Sequence, residues 1–225
     1  MPPRHSLVWL DADGWHAVLA QTPKFVSADV IRWRDADWPL TVRRLDADCA
    51  SDQLCVGIAL PPLKGNKVRL PFRVAQNTVR RSRSPLLLSY IVPALPQPWR
   101  DAARCVYKTA QQSGVSARVF GSAALESITG LAYLHATSDI DLLLQPSTLQ
   151  QLNDCVQLFH AFDRQLPLDG EIIFGATSAV AFREWCNAAH QNDAFRVLVK
   201  QSAGVAMMRK DALMSLLDCP TCTSM

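Results

Sequence analysis

Asp139 and Asp141 stand two residues apart in the run Asp139–Leu144 (DIDLLL). On an extended strand, residues i and i+2 project from one face, so both carboxylates reach the same space. Two ionised carboxylates that close repel one another, and a divalent cation between them keeps both charged near neutrality. Hard oxygen ligands suit Mg2+ or Mn2+. The bland alternative is an edge strand with two solvated aspartates; the rarity of Asp in strands and the apolar LLL that follows weigh against it.

Gly121-Ser122 precedes this pair by 17 residues, at the junction of a predicted strand (Ala117–Phe120, ARVF) and a predicted helix. Glycine there lets a phosphate approach the backbone. The helix start offers unpaired N–H groups and the positive end of a dipole, and Ser122 adds a hydroxyl. Many helices begin with Gly-Ser; a strand, Gly-Ser, a helix and then a strand bearing Asp-x-Asp is far more specific. A third carboxylate comes from Leu168–Phe174 (LDGEIIF), where Asp169 and Glu171 share a face. Glu171 is the choice, because Asp169-Gly170 also reads as a turn. The metal set is thus expected to be Asp139, Asp141 and Glu171.

The elements that must hold these residues are α/β in pattern. Trp99–Ser113 places apolar residues at helical spacing, with Gly114 as its stop. Gly121-Ser122 opens a helix ended by Gly130, and Ser147 caps another running from Thr148 to about Gln165. Leu168–Phe174 reads as a strand, Val180–Ala189 as a helix, Phe195–Val199 and Val205–Met208 as late strands, and Asp211 as the opening of a last helix. The first half differs. Pro61-Pro62, Pro85, Pro93, Pro96 and Pro98 punctuate it, and Leu40–Arg44, Leu54–Leu60 and Lys67–Phe72 read as short strands. The expected fold is α+β: a small mostly β domain over 1–84 with at most one short helix, a Pro-rich connector over 85–98, and a catalytic domain over 99–225 with a mixed sheet flanked by helices.

Charge is distributed unevenly. The net +3 of the 225-residue chain sums +6 over residues 1–100 and −3 over residues 101–225, and no acidic residue lies between Asp52 and Asp101. A basic first part points to an anionic partner, or to a solvated face with none. With 49% hydrophobic and 19% charged residues, a disordered chain is excluded. No apolar run is long enough for a signal peptide or a membrane span, so the expectation is a cytoplasmic protein with no membrane partner. Five scattered cysteines read as small buried hydrophobes, and Cys219-Pro-Thr-Cys222 has no second ligand pair for zinc. The tryptophans Trp9, Trp15, Trp33, Trp38 and Trp185 fit core packing better than cofactor stacking.

With these residues in place, Gly121-Ser122, Asp139-Ile-Asp141 and a later acid resemble the nucleotidyltransferase (DNA polymerase β-like) superfamily. A wider match follows. Arg118–Leu144 (RVFGSAALESITGLAYLHATSDIDLLL), LDGEII, WPLTVRR (Trp38–Arg44), PPLKGNKVRL (Pro61–Leu70) and the RHSLVWL start resemble the phosphoribosyl-dephospho-CoA transferases of malonate decarboxylase, its holo-acyl-carrier-protein synthases. The resemblance implies transfer of the phosphoribosyl-dephospho-CoA group from 2′-(5″-triphosphoribosyl)-3′-dephospho-CoA to a serine of the acyl carrier subunit, with release of pyrophosphate. It implies Asp139 and Asp141 as the catalytic carboxylates and Gly121-Ser122 as the turn that grips the triphosphate. Negative charge spread over a phosphoryl transition state calls for basic residues at the site. The candidates are Arg118, Arg183 and Lys200, with Arg43, Arg44, Lys64, Lys67 and Arg69 from the first part. Two other readings stand beside this one. A nucleotidyltransferase acting on RNA, a small molecule or another protein would share the same site. A nucleic-acid-binding module would use residues 53–100, but that stretch lacks aromatic–basic interleaving and the acidic second half would repel a polyanion, so no nucleic-acid partner is expected.

Overall fold

The computed structural model describes residues 1–63, 66–188 and 190–217, which form two compact units. The first unit comprises Met1–Pro85 with Leu131–Tyr133, and the second comprises Leu86–Gly130 with the chain from Leu134 onward.

In the first unit the chain runs β1 (Leu7–Leu10), α1 (Ala12–Ala20), α2 (Ser27–Asp35), β2 (Leu40–Val42), β3 (Gln53–Ala59), β4 (Arg69–Ala75) and β5 (Val79–Arg83). The strands form one antiparallel sheet in the order β4-β3-β2-β1-β5. β1 (LVWL) is buried throughout and takes a central place, whereas the exposed β5 (VRRSR) forms an edge. Basic side chains suit an edge, because they discourage pairing with another chain. Asp11 caps α1 by accepting a 2.9 Å hydrogen bond from the Gly14 N–H. Two nine-residue helices stand where at most one short helix was expected. α2 hides from a pattern search because only Val30 and Trp33 are buried on it. Trp15 and Trp33 belong to this unit's core.

The second unit opens with β6 (Leu86–Leu87), α3 (Leu88–Ile91), α4 (Gln97–Gln112), β7 (Ala117–Phe120), α5 (Gly121–Thr129) and β8 (Ile140–Leu144). It continues with α6 (Leu149–Phe162), β9 (Leu168–Phe174), β10 (Ser178–Ala181), α7 (Phe182–Ala188), β11 (Arg196–Lys200), β12 (Val205–Arg209) and α8 (Lys210–Met214). Its sheet runs β12-β11-β10-β9-β8-β7-β6. β8 and β9 are its one parallel pair, joined through α6 as a parallel connection requires. The architecture is therefore α+β, with a small mostly β part and a mixed sheet flanked by helices. The stretch 85–98 is not a bare connector. Its apolar residues Leu88, Ile91, Val92 and Leu95 are buried in the core of the second unit, and its prolines fall at turns around α3 and at the start of α4. Val180 lies in a strand that precedes its predicted helix, and Thr148, not Ser147, caps α6.

Alternation divides this sheet into two unlike faces. Ile140, Leu142, Leu144, Ile172, Phe174, Val180, Val197 and Val199 face one way and are buried in one cluster with Ala103, Val106, Leu152, Phe159 and Trp185 of the helices. Asp141, Asp169, Glu171 and Lys200 face the other way. Within the described residues no helix is long and apolar enough to cross a membrane.

Candidate active site

The site begins at a glycine. Gly121 opens α5 with φ +70°, a left-handed value that an L side chain rarely adopts. A Cβ placed there would fall 2.2 Å from Oδ2 of Asp141 and 3.2 Å from its carboxyl carbon. The carboxylate of β8 therefore occupies the space that any side chain at position 121 would need. Phe120, at the N-cap, supplies no side-chain cap to α5, so the first turn lies beside this carboxylate with Ser122 in it. Asp139 lies one residue before β8 and is exposed, while Asp141 within the strand is half-buried.

Register places a further acid beside Asp141. β8 and β9 run parallel with Asp141 opposite Asp169 and Leu143 opposite Glu171. Neighbouring strands lie about 4.8 Å apart, and residues directly opposite share a face. Asp169-Gly170 is not a turn: both lie inside β9. Gly170 has φ +139°, and a Cβ there would come within 1.9 Å of the Leu142 carbonyl oxygen. The missing side chain lets β9 lie flush against β8 between the two acids. Glu171, the expected third acid, is instead only 3% exposed and accepts a 2.9 Å hydrogen bond from the Lys200 ammonium. Asp169-Gly170 reads as a turn in sequence because Asp-Gly is a strong turn signal; the apolar run on both sides of it is the contrary sign.

Two of the candidate cations, Arg118 and Lys200, lie in this sheet, and a third, Arg183, lies in α7 beside it. Arg118 lies in β7 opposite Leu143, on the face of Asp141, and burial pulls its pKa down. Lys200 stands on the same face, held by Glu171. Arg183 donates to the Leu168 carbonyl at 3.2 Å, reaches to 3.9 Å from Asp169 and lies 5.7 Å from the Phe159 ring centre. In the first unit, Arg43 is already engaged: it grips Asp46 with two bonds of 2.5 and 2.8 Å. Arg44, Lys67 and Arg69 are exposed there. Lys64 lies outside the described residues, as do Cys219 and Cys222.

The acid-free stretch is not acid-free in space. Arg73 bonds to Asp46 at 2.8 Å and to Asp48 at 2.5 and 3.0 Å. Arg80 pairs with Asp37, and Arg81 lies 3.8 Å over the Trp9 ring. Strand pairing brings acids from earlier in the chain onto cations that stand alone in the sequence.

Among the described residues, no group of three or more His, Cys, Asp or Glu side chains is gathered to hold a metal. Mg2+ is commonly held by one or two carboxylates, with substrate phosphates and water completing its shell. Asp139, exposed just before β8, and the half-buried Asp141 within it carry oxygen donors of the type that such an ion takes.

Comparison with known proteins shows the family. The phosphoribosyl-dephospho-CoA transferase MdcG N-terminal domain matches residues 3–85, and the C-terminal domain of the same description matches residues 86–211. A phosphoribosyl-dephospho-CoA transferase of Xanthomonas campestris pv. campestris is 34% identical over 95% of this chain and 97% of its own length. Those of Bradyrhizobium diazoefficiens and Pseudomonas putida are 29% and 26% identical, covering 95% and 97% of this chain and 93% and 98% of their own lengths. No solved structure matches. With both domain families and relatives matched along nearly the whole length, the chain belongs to the phosphoribosyl-dephospho-CoA transferase family and is a transferase.

Proposed function

We propose that this enzyme moves the phosphoribosyl-dephospho-CoA group of 2′-(5″-triphosphoribosyl)-3′-dephospho-CoA onto a serine hydroxyl of the acyl carrier subunit of malonate decarboxylase. The serine oxygen forms a bond to the phosphorus nearest the ribose while the bond from that phosphorus to pyrophosphate breaks. The observation that carries the reading is the seat of Asp141 against Gly121. It joins a carboxylate that can face the attacking hydroxyl to a helix start that can face the phosphates.

Asp139 and Asp141 would hold Mg2+ or Mn2+, with Asp169 as the neighbouring acid in register. Such an ion supplies charge neutralisation at the phosphates and lowers the pKa of a bound hydroxyl. The chain's own groups do the rest. Gly121 makes room for the Asp141 carboxylate beside the start of α5, and Ser122 and the first N–H groups of α5 donate to the triphosphate oxygens. Lys200 and Arg118, on the same sheet face, offset charge developing on the leaving pyrophosphate. Glu171 holds the Lys200 ammonium in place. Asp169 accepts the serine proton, a part that its position opposite Asp141 permits and the ion-paired Glu171 is less able to fill.

The test combines the enzyme, Mg2+, triphosphoribosyl-dephospho-CoA and the apo carrier subunit, and reads the carrier by mass spectrometry. The expected result is a carrier heavier by one prosthetic group with equimolar pyrophosphate. An unchanged carrier, together with ATP-dependent labelling of another acceptor, refutes it.

A further inference from the structure

The sheet face that carries Asp141, Asp169, Glu171 and Lys200 continues across β11 and β12. On those strands Lys200 stands opposite Val205, Leu198 opposite Met207, and Arg196 opposite Arg209. Residues two apart share a face, so all six project from the side that bears the carboxylates. The apolar members of this set are unusually bare: Leu198 is 36% exposed, Val205 50% and Met207 51%. Singly exposed apolar residues are ordinary, but three adjacent ones on a flat, open sheet face mark an interaction surface.

Charge says what kind of partner fits. Arg196 and Arg209 oppose each other directly, and like charges so placed destabilise a strand pair. Asp211 meets Arg209 at 2.5 Å. Arg196 has no ion-pair partner among the described residues. A carboxylate arriving beside Arg196 would relieve the repulsion as an apolar side chain covers Leu198 and Met207. Distance says what the surface serves. Four strand spacings separate β8 from β12, about 19 Å. A domain of about 100 residues has a radius of gyration near 13 Å, so one docked on the hairpin reaches back over Asp141.

We infer that the open face of the β11–β12 hairpin is the docking surface for the carrier protein, a small protein that presents an apolar side chain beside a carboxylate. The inference rests on the proposed carrier acceptor. Docking here sets the carrier serine on the same face as the transferring group, while Leu198, Met207 and Arg196 lie outside the proposed site.

The experiment compares the wild-type enzyme with Leu198→Glu, Met207→Glu and Arg196→Glu. It measures KM for the apo carrier, KM for triphosphoribosyl-dephospho-CoA, kcat at saturating carrier, direct binding of the apo carrier by titration calorimetry, and thermal unfolding. Each variant should raise the KM and Kd for the carrier tenfold or more. The KM for the small substrate, kcat and the unfolding midpoint should stay at wild-type values. Wild-type carrier KM in all three variants overturns the inference. So does a wild-type dimer that Met207→Glu splits in sedimentation, since a second copy then occupies the face. A wild-type enzyme that binds the carrier but transfers nothing to it removes the proposed reaction and leaves the docking surface standing if the variants lose binding. A wild-type enzyme that neither binds nor modifies the carrier removes both.

Discussion

Replacing Gly121 with alanine separates two consequences of one methyl group. The first is backbone strain: holding an L residue at φ +70° costs about 1–2 kcal/mol. The second is displacement. With Cβ 2.2 Å from Asp141 Oδ2, the carboxylate must retreat by about 1 Å to reach ordinary contact. A misplacement of that size can lower a rate by about 100-fold. Gly130 supplies the control, since it has φ +68° and nothing within 4 Å of an added Cβ. Gly121→Ala and Gly130→Ala should therefore lose similar stability, about 1–2 kcal/mol, read as the shift of the urea midpoint at constant slope. Only Gly121→Ala should lose transfer to the apo carrier, by about 100-fold in kcat/KM. Two results refute the reasoning. Near wild-type transfer by Gly121→Ala means that the Asp141 seat is not part of the reacting geometry. Equal loss of transfer in both variants means that backbone strain, and not the carboxylate, carries the effect.

Four further expectations follow from the same structure. Asp139→Ala and Asp141→Ala should each lower transfer by at least about 100-fold, and Asp139→Ala, at an exposed position outside β8, should keep an unfolding midpoint close to wild type; the carrier mass assay and thermal unfolding check both. Gly170→Ala should destabilise by about 3 kcal/mol or more, since its Cβ would press into the Leu142 carbonyl, and a soluble variant with a wild-type urea midpoint would contradict the flush packing of β8 and β9. Lys200→Met should lower the urea midpoint by removing the ammonium that bonds the buried Glu171 carboxylate, and Glu171→Gln added to it should restore part of that loss. Asp46, held well below the usual carboxylate range by Arg43 and then Arg73, contributes stability that is complete above the ordinary Asp pKa and fades as pH falls toward its lowered folded value; Asp46→Asn should lose about 1 kcal/mol at pH 7, and its deficit in urea midpoint should shrink on acidification below about pH 4.

Long periodic elements were legible because their burial is one-sided. The stretch Gln97–Gln112 buries Ala103, Val106 and Ala110 on one stripe, and β9 occupies the predicted run Leu168–Phe174 without a shift. Gly130 ends α5 with a left-handed cap, as a glycine after a helical run predicts. Elements whose signal is composition and not period were harder to read. β1 is buried on both faces and shows no alternation, and β5 is exposed and basic. The prolines of 85–98 suggested a linker because proline breaks long helices, yet a four-residue helix and turns tolerate them while Leu88, Ile91 and Leu95 enter the core.

The site shows where local reading stops. Asp139, Asp141 and Gly121-Ser122 could be singled out because their spacing along one strand and one turn has consequences within a few residues. The partner of Asp141 across the sheet depends on which residue of β9 meets it, and a shift of two residues in register exchanges Asp169 for Glu171 without altering any hydrophobic pattern. Periodicity is blind to that exchange, since both acids keep the same face. Two features accompany the observed register. Gly170 allows the backbones of β8 and β9 to touch only at Leu142, and Lys200 on β11 claims the Glu171 carboxylate. The same logic governs the basic residues. A run without acids along the chain says nothing about acids across the sheet, and Asp46 and Asp48 meet Arg73 from the strand connection that precedes β3. Positive charge is therefore set by pairing in space: of the candidate cations, Arg118 and Lys200 stand on the carboxylate face, with Lys200 held there by Glu171.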